Sequence, residues 1–147
     1  MAKSRLSEHS EQVLLVRKLR GAKLLYCAVP NGGKRQRLDA VKLKAEGVKK
    51  GVPDLLIFDA PPNHPDCVGT AVEMKREGGS RSDLSRHQKQ WAKDLEKRGW
   101  LVLVGFGAKD AVSKLIDAGY SLKPFRLVTE LPDTFKSKLL SEVEGEA

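Results

Sequence analysis

The chain has 147 residues, a formal net charge of +8, 40% hydrophobic residues and 31% charged residues. That length supports one domain with a real core, and the composition excludes disordered and collagen-like classes. No apolar run reaches the roughly 18 residues that a membrane span needs, so no membrane partner is expected.

A sequence pI ≈ 9.6 favours a polyanionic partner, most simply nucleic acid. The charge is unevenly spread. Residues 34–50 carry seven Lys/Arg against two acids, and residues 75–98 carry eight against four. After Thr129 the sign reverses, with five acids against two lysines. The opening residues MAKSRLSEHSEQ lack the apolar core of a signal peptide. A cytosolic setting with reduced Cys27 and Cys67 is therefore expected.

In chain order, Ser7 is placed to cap a helix through EHSEQVLLVRKLRG to Gly21. Leu15, Val16 and Leu19 form its apolar face, and Glu8 and Gln12 continue the stripe of Leu15 and Leu19 toward the N-terminus. LLYCAV (24–29) reads as a strand, PNGGKRQR as a Gly-rich basic loop, and LDAVKLKAEG as a short helix ended by Gly47. Pro53 keeps the chain extended on entry to DLLIFDA, a strand expected to be buried on both faces. The proline loop PPNHPD separates it from VGTAVEMKRE, its antiparallel partner. GGSRSD reads as a flexible turn. LSRHQKQWAKDLEKRG is the clearest helix, with Ser85 as N-cap and Gly99 as stop. Its apolar side takes Trp91 and Leu95, with Gln88 one turn before them; Trp91 and Trp100 read as core residues. WLVLVGF is a buried strand and AKDAVSKLIDAG a last amphipathic helix. The order αβαββαβα predicts an α/β fold, a small mixed central sheet flanked by helices. The expected domain covers residues 1–120, with a partly acidic appendage over 121–147.

Two strands carry charge. Residues two apart in a strand share a face, so Glu73 and Lys75 point one way and Met74 the other. With DLLIF alongside, Asp54 can approach Glu73. Two close carboxylates repel unless a proton or cation joins them, and hard Mg²⁺ or Mn²⁺ suits oxygen donors. Such a metal can hold a phosphate and acidify a bound water, while Lys75 supplies positive charge for the transition state. The bland reading is a cross-strand ion pair worth about 0.2–1 kcal/mol. His64 and Cys67 have no second ligand pair, which argues against zinc. GFGAK (105–109) lacks the spacing and the Ser/Thr of a phosphate loop.

GVPDLLIF, AVEMKREGG and LSRHQKQWAKDLEKRGW together resemble the VRR-NUC (virus-type replication-repair nuclease) domain. This is a branch of the restriction-endonuclease-like PD-(D/E)XK superfamily. SEHSEQVLLV and VPNGGKRQRLDAVKLKAEGVKKGVPD are similar to its small stand-alone phage and prophage members, and the likeness spans roughly residues 7–118. It implies a metal-dependent DNA endonuclease in a bacterial host cell. Asp54 and Glu73 are then metal ligands, with the Met74 backbone carbonyl as a further one. Lys75 is the catalytic lysine, and Gln88 an additional active-site residue. A first-helix glutamate completes the set, Glu8 by preference for its place on the inward stripe, Glu11 as second choice. Phosphate contacts are expected from Lys34, Arg35, Arg37, Lys49, Lys50, Arg81 and Arg86. Small members act on branched DNA, including four-way (Holliday) junctions, which suggests a homodimer and no small-molecule cofactor. The competing readings are a flap, splayed-end or general phage nuclease, and a non-catalytic nucleic-acid-binding module.

Overall fold

Seven residues, GTAVEMK, form the strand around which everything else is arranged. In the computed structural model, which describes residues 5–30 and 37–125 (37–39 without side chains), this strand lies inside a four-stranded sheet. The elements in chain order are α1 (Glu8–Gly21), β1 (Tyr26–Ala28), α2 (Arg37–Ala45), β2 (Leu55–Ile57), β3 (Gly69–Lys75), a 3₁₀ turn (Arg81–Asp83), α3 (Arg86–Glu96), β4 (Trp100–Phe106) and α4 (Ala108–Asp117). The order of elements is the one the sequence predicts. The sheet runs β1-β2-β3-β4. The first two pairings are antiparallel and β3 pairs with β4 in parallel. A parallel pair requires a crossover, and α3 supplies it.

One face of the sheet carries the core. Leu55 and Ile57 of β2, Val72 and Met74 of β3, and Leu101 and Leu103 of β4 pack against Leu15 and Leu19 of α1 and Ala111, Val112 and Leu115 of α4. Gly105 lets α4 approach closely: a Cβ there would stand 2.5 Å from that of Ala111. The core continues past residue 120, since Tyr120 and Leu122 are buried in it and Phe125 packs against it. The acidic segment beyond lies outside the described residues.

The opposite face is thinner. It is covered by α3 over β4, and α3 buries no residue fully. Three expectations are corrected as a result. β2 alternates instead of being buried on both faces: Leu55 and Ile57 are inaccessible, Leu56 is half-buried and Phe58 is 45% exposed. β4 is an edge strand, half-buried from Trp100 to Leu103. Trp91 and Trp100 are half-buried and do not belong to the core. Trp100 instead meets Phe58 edge-on at 6.1 Å between centroids. Gly69 lies beside this contact; a Cβ on it would strike the Trp100 ring at 2.8 Å.

Local chemistry explains the joints. Ser7 Oγ accepts the Ser10 N–H, capping α1. The segment read as a flexible turn holds a 3₁₀ turn, because the Asp83 carboxylate accepts the Ser80 N–H at 2.8 Å. At the upper edge of β4, the Phe106 N–H donates to Asp110 Oδ2 and Lys114 Nζ donates to the Val104 carbonyl. Asp110 and Lys114 pair at 2.8 Å. These contacts occupy backbone groups that an edge strand otherwise leaves open. Among residues 40–45 only Leu43 is partly covered, so α2 presents most of its surface to solvent.

Candidate active site

Asp54 immediately precedes β2, and Leu55 lies opposite Val72, so one step further along the antiparallel register Asp54 lies opposite Glu73. Asp54 is held there by the Met74 backbone N–H, which donates to its Oδ2 at 2.7 Å. An N–H and C=O of one strand residue face the same neighbouring strand. The Met74 carbonyl therefore points to the Asp54 side, beyond the first residue of β2. The Met74 side chain is 2% exposed and belongs to the core. Glu73 and Lys75 occupy the other face, as strand alternation predicts, with Glu73 5% exposed and Lys75 half-buried.

Gln88 reaches the pair from α3. The helix opens with a capping box: Ser85 Oγ accepts the Gln88 N–H at 3.1 Å, and Gln88 Oε1 accepts the Ser85 N–H at 2.8 Å. With its oxygen committed to the cap, the carboxamide turns its other end to the sheet, and Nε2 donates to Glu73 Oε1 at 2.8 Å. The loop that delivers Asp54 is fixed to the same helix end. Gly51 has φ +87, and a Cβ on it would lie 2.6–2.8 Å from backbone and Cβ atoms of His87 and Gln88. Only glycine allows that approach.

The remaining Glu73 oxygen, Oε2, is buried with no hydrogen-bond partner. Asp54 is within hydrogen-bonding reach of Glu73, and that contact requires a proton on one of the two carboxyls or a cation between them. Burial first, then the neighbouring Asp54 charge, pushes the Glu73 carboxyl up to about 8. Burial also raises Asp54, opposed by the Met74 N–H. Lys75 lowers both and the charge of Glu8 raises both. An orphaned carboxylate oxygen beside a second carboxylate fits a hard cation coordinated by oxygen. Among the described residues no three His, Cys, Asp or Glu side chains converge closely enough to form a cage. The donors offered are Asp54, Glu73 and the Met74 carbonyl, with Glu8 nearby.

Comparison with known proteins gives the family and the fold. The VRR-NUC domain matches residues 6–108. The chain belongs to the VRR-NUC domain family. A solved VRR_NUC domain protein is 26% identical, superimposes with a TM-score of 0.60, and is matched over 79% of this chain and 93% of its own. No curated protein matches. The mixed sheet with its flanking helices is thus the restriction-endonuclease-like core of a VRR-NUC nuclease domain.

The first-helix glutamates need a correction. Glu8 is exposed and Gln12 half-buried, so they do not continue a buried stripe. The buried positions are Glu11, Leu15 and Leu19, four residues apart. Glu11 is 6% exposed and its Oε2 accepts the Ala108 N–H at the start of α4. Glu8 is nevertheless the glutamate whose charge acts on Asp54 and Glu73. Among the cations of this VRR-NUC domain, Lys49, Lys50, Arg81 and Arg86 are exposed. Lys49 and Lys50 lead into the Gly51 contact, and Arg86 opens α3. Lys34 and Arg35 lie outside the described residues, and so does the Arg37 side chain. The sequence reading missed Arg5, whose guanidinium lies over Gly78 just beyond Lys75, 3.5 Å from where a Cβ would stand. No local motif marks it, because the contact joins the segment before α1 to the loop after β3.

Proposed function

We propose that this protein is a divalent-metal-dependent DNA endonuclease that cuts branched DNA, such as four-way junctions, as a homodimer. The observation that carries the reading is the pair of half-buried Asp54 and buried Glu73 with an unpartnered Glu73 oxygen, beside Lys75 and a rim of exposed cations. Asp54, Glu73 and the Met74 carbonyl would hold Mg²⁺ or Mn²⁺, which when bound would supply Lewis acidity at the phosphate and lower the pKa of a bound water.

The chain's own residues do the rest. Lys75 shares its strand face with Glu73 and places a positive charge where negative charge gathers on the phosphorane-like transition state. Gln88 holds Glu73 in one orientation through Oε1, leaving Oε2 free for the cation. Glu8 adds negative charge to the cation site. Lys49, Lys50, Arg81, Arg86 and Arg5 engage backbone phosphates, which positions DNA without reading its sequence. One such site cuts one strand. A two-fold pair of chains supplies the two sites that a symmetric junction requires.

The test is cleavage of labelled four-way, flap and linear duplex DNA in Mn²⁺, Mg²⁺ or EDTA. Junction cutting that EDTA abolishes, together with a dimer mass in light scattering, is the expected result. Preference for flaps or linear duplex would replace the branched-substrate reading with a flap or general nuclease. DNA binding without cutting in any metal would leave a binding module.

A further inference from the structure

Glu11 is a buried acid that the chemistry above does not use. A carboxylate at 6% exposure in an apolar stripe between α1 and the core is costly to desolvate, and a leucine of similar size often serves stability better. Its contacts show what it does instead. Glu11 Oε2 accepts the Ala108 N–H, the first residue of α4, whose own N-cap, Gly107, has no side chain to offer. Gly107 has φ +86, and a Cβ on it would stand 3.3 Å from Glu11 Oε2 and 3.4 Å from the Glu77 Cβ. The Gly107 N–H in turn donates to the Lys75 carbonyl at 2.9 Å. One turn of backbone is therefore clamped between the α1 carboxylate and the residue carrying the site's lysine. Glu8 sits three residues before Glu11 on the same helix, one turn closer to its N-terminus.

We infer that Glu11 is a positioning residue for the metal site: by capping α4 from α1, it fixes the helical register that presents Glu8 to Asp54 and Glu73. This rests on the nuclease reading for its catalytic consequence, but its effect on cation binding is separate from cleavage. Glu11 makes no contact with the cation; a side chain that merely accepts the Ala108 N–H serves as well.

That distinction sets the experiment. Glu11→Gln keeps the length and an acceptor oxygen. Glu11→Leu fills the space without one, and Glu11→Asp withdraws the carboxylate from α4. Thermal unfolding, Mn²⁺ titration by calorimetry and cleavage kinetics are measured on the full chain for each. Glu11→Gln is expected to remain within about threefold of wild type in both Mn²⁺ affinity and cleavage. Glu11→Leu, which leaves the buried Ala108 N–H without its side-chain acceptor, weakens Mn²⁺ binding about 10-fold and slows cleavage about 10–100-fold at temperatures where it is folded, as for loss of a group that orients metal ligands. Glu11→Asp shows the same direction and decides the matter if the leucine variant fails to fold. In a Glu8→Gln background, Glu11→Asp and Glu11→Leu cost less than threefold further, because Glu11 acts through Glu8.

Wild-type Mn²⁺ affinity and cleavage in Glu11→Leu and Glu11→Asp would overturn the inference. So would equal losses in Glu11→Gln, which would make Glu11 a ligand, or losses that add fully to those of Glu8→Gln. A wild-type protein that binds Mn²⁺ but cuts no DNA defeats only the nuclease reading, and the titrations still judge Glu11. A wild-type protein that binds no Mn²⁺ overturns both.

Discussion

The two faces of β3 are built on opposite terms. Toward α1 and α4, Val72 and Met74 are 0–2% exposed among aliphatic neighbours, and the packing has nothing left to satisfy. Toward α3, Glu73 is 5% exposed, yet one of its oxygens has no donor and a second acid faces it. Adjacent residues of one strand thus serve stability and reactivity separately. The difference teaches that burial alone does not mark a core position. Glu73 is as hidden as many leucines, and is held there by backbone anchored on the other face.

Substitutions on the two faces should therefore fail in different ways. The largest effect is expected at the acid pair: Asp54→Asn or Glu73→Gln should lower cleavage by several kcal/mol of barrier, about 10³-fold, with DNA binding retained. In EDTA both variants should be at least as stable as wild type in urea unfolding, because each removes one of two carboxyl groups crowded together in a poorly solvated site. Marked destabilisation would mean that these acids are structural. Next comes the apolar face. Leu115→Ala, at a fully buried position of α4, should cost about 2–5 kcal/mol in the same unfolding assay. Its cleavage rate per folded molecule should be near wild type at low temperature, and a selective loss of activity would break the division between faces.

Gln88 is expected to show a smaller effect. Gln88→Ala should weaken Mn²⁺ affinity or cleavage about 10–100-fold, as for a residue that orients a metal ligand. Gln88→Glu preserves the capping geometry but sets a carboxylate against Glu73 Oε1, and should be no better than alanine in the same titration. The smallest effect is on pH. The Glu73 carboxyl is raised from 4.5 to about 8, so between those values the folded chain keeps a proton that the unfolded chain has released. Stability of the metal-free protein should fall as pH rises through that window, and Glu73→Gln should flatten the slope. A wild-type melting temperature indifferent to pH from 5 to 8 in EDTA would sharpen the comparison differently, by showing the pair already relieved.

Much of this was open to sequence reading. The hydrophobic runs, Ser7 and Ser85 as caps, and the strand alternation of Glu73, Met74 and Lys75 are local properties, and the chain cannot escape them when it folds. The S-x-x-Q spacing from Ser85 to Gln88 even marks a capping box, although only the fold shows the carboxamide spanning cap and carboxylate. The burial errors share one cause. An apolar run such as DLLIF or WLVLVGF reports that a strand forms, not how many layers cover it, and α3 covers only part of its face.

The sequence by itself determined the order of elements, the alternation that separates Met74 from Glu73 and Lys75, and the family resemblance carried by GVPD, VEMK and the Gln88 helix. Only the tertiary structure decided how the two first-helix glutamates differ: Glu11 is buried and Glu8 is exposed. Glu8 and Glu11 are three residues apart on one helix, and local periodicity serves either. The difference is made by a partner 97 residues away, the Ala108 N–H that engages Glu11, while Glu8 stays at the surface. A backbone donor carries no side-chain signature, so its demand for a carboxylate becomes visible only when α1 and α4 are packed together.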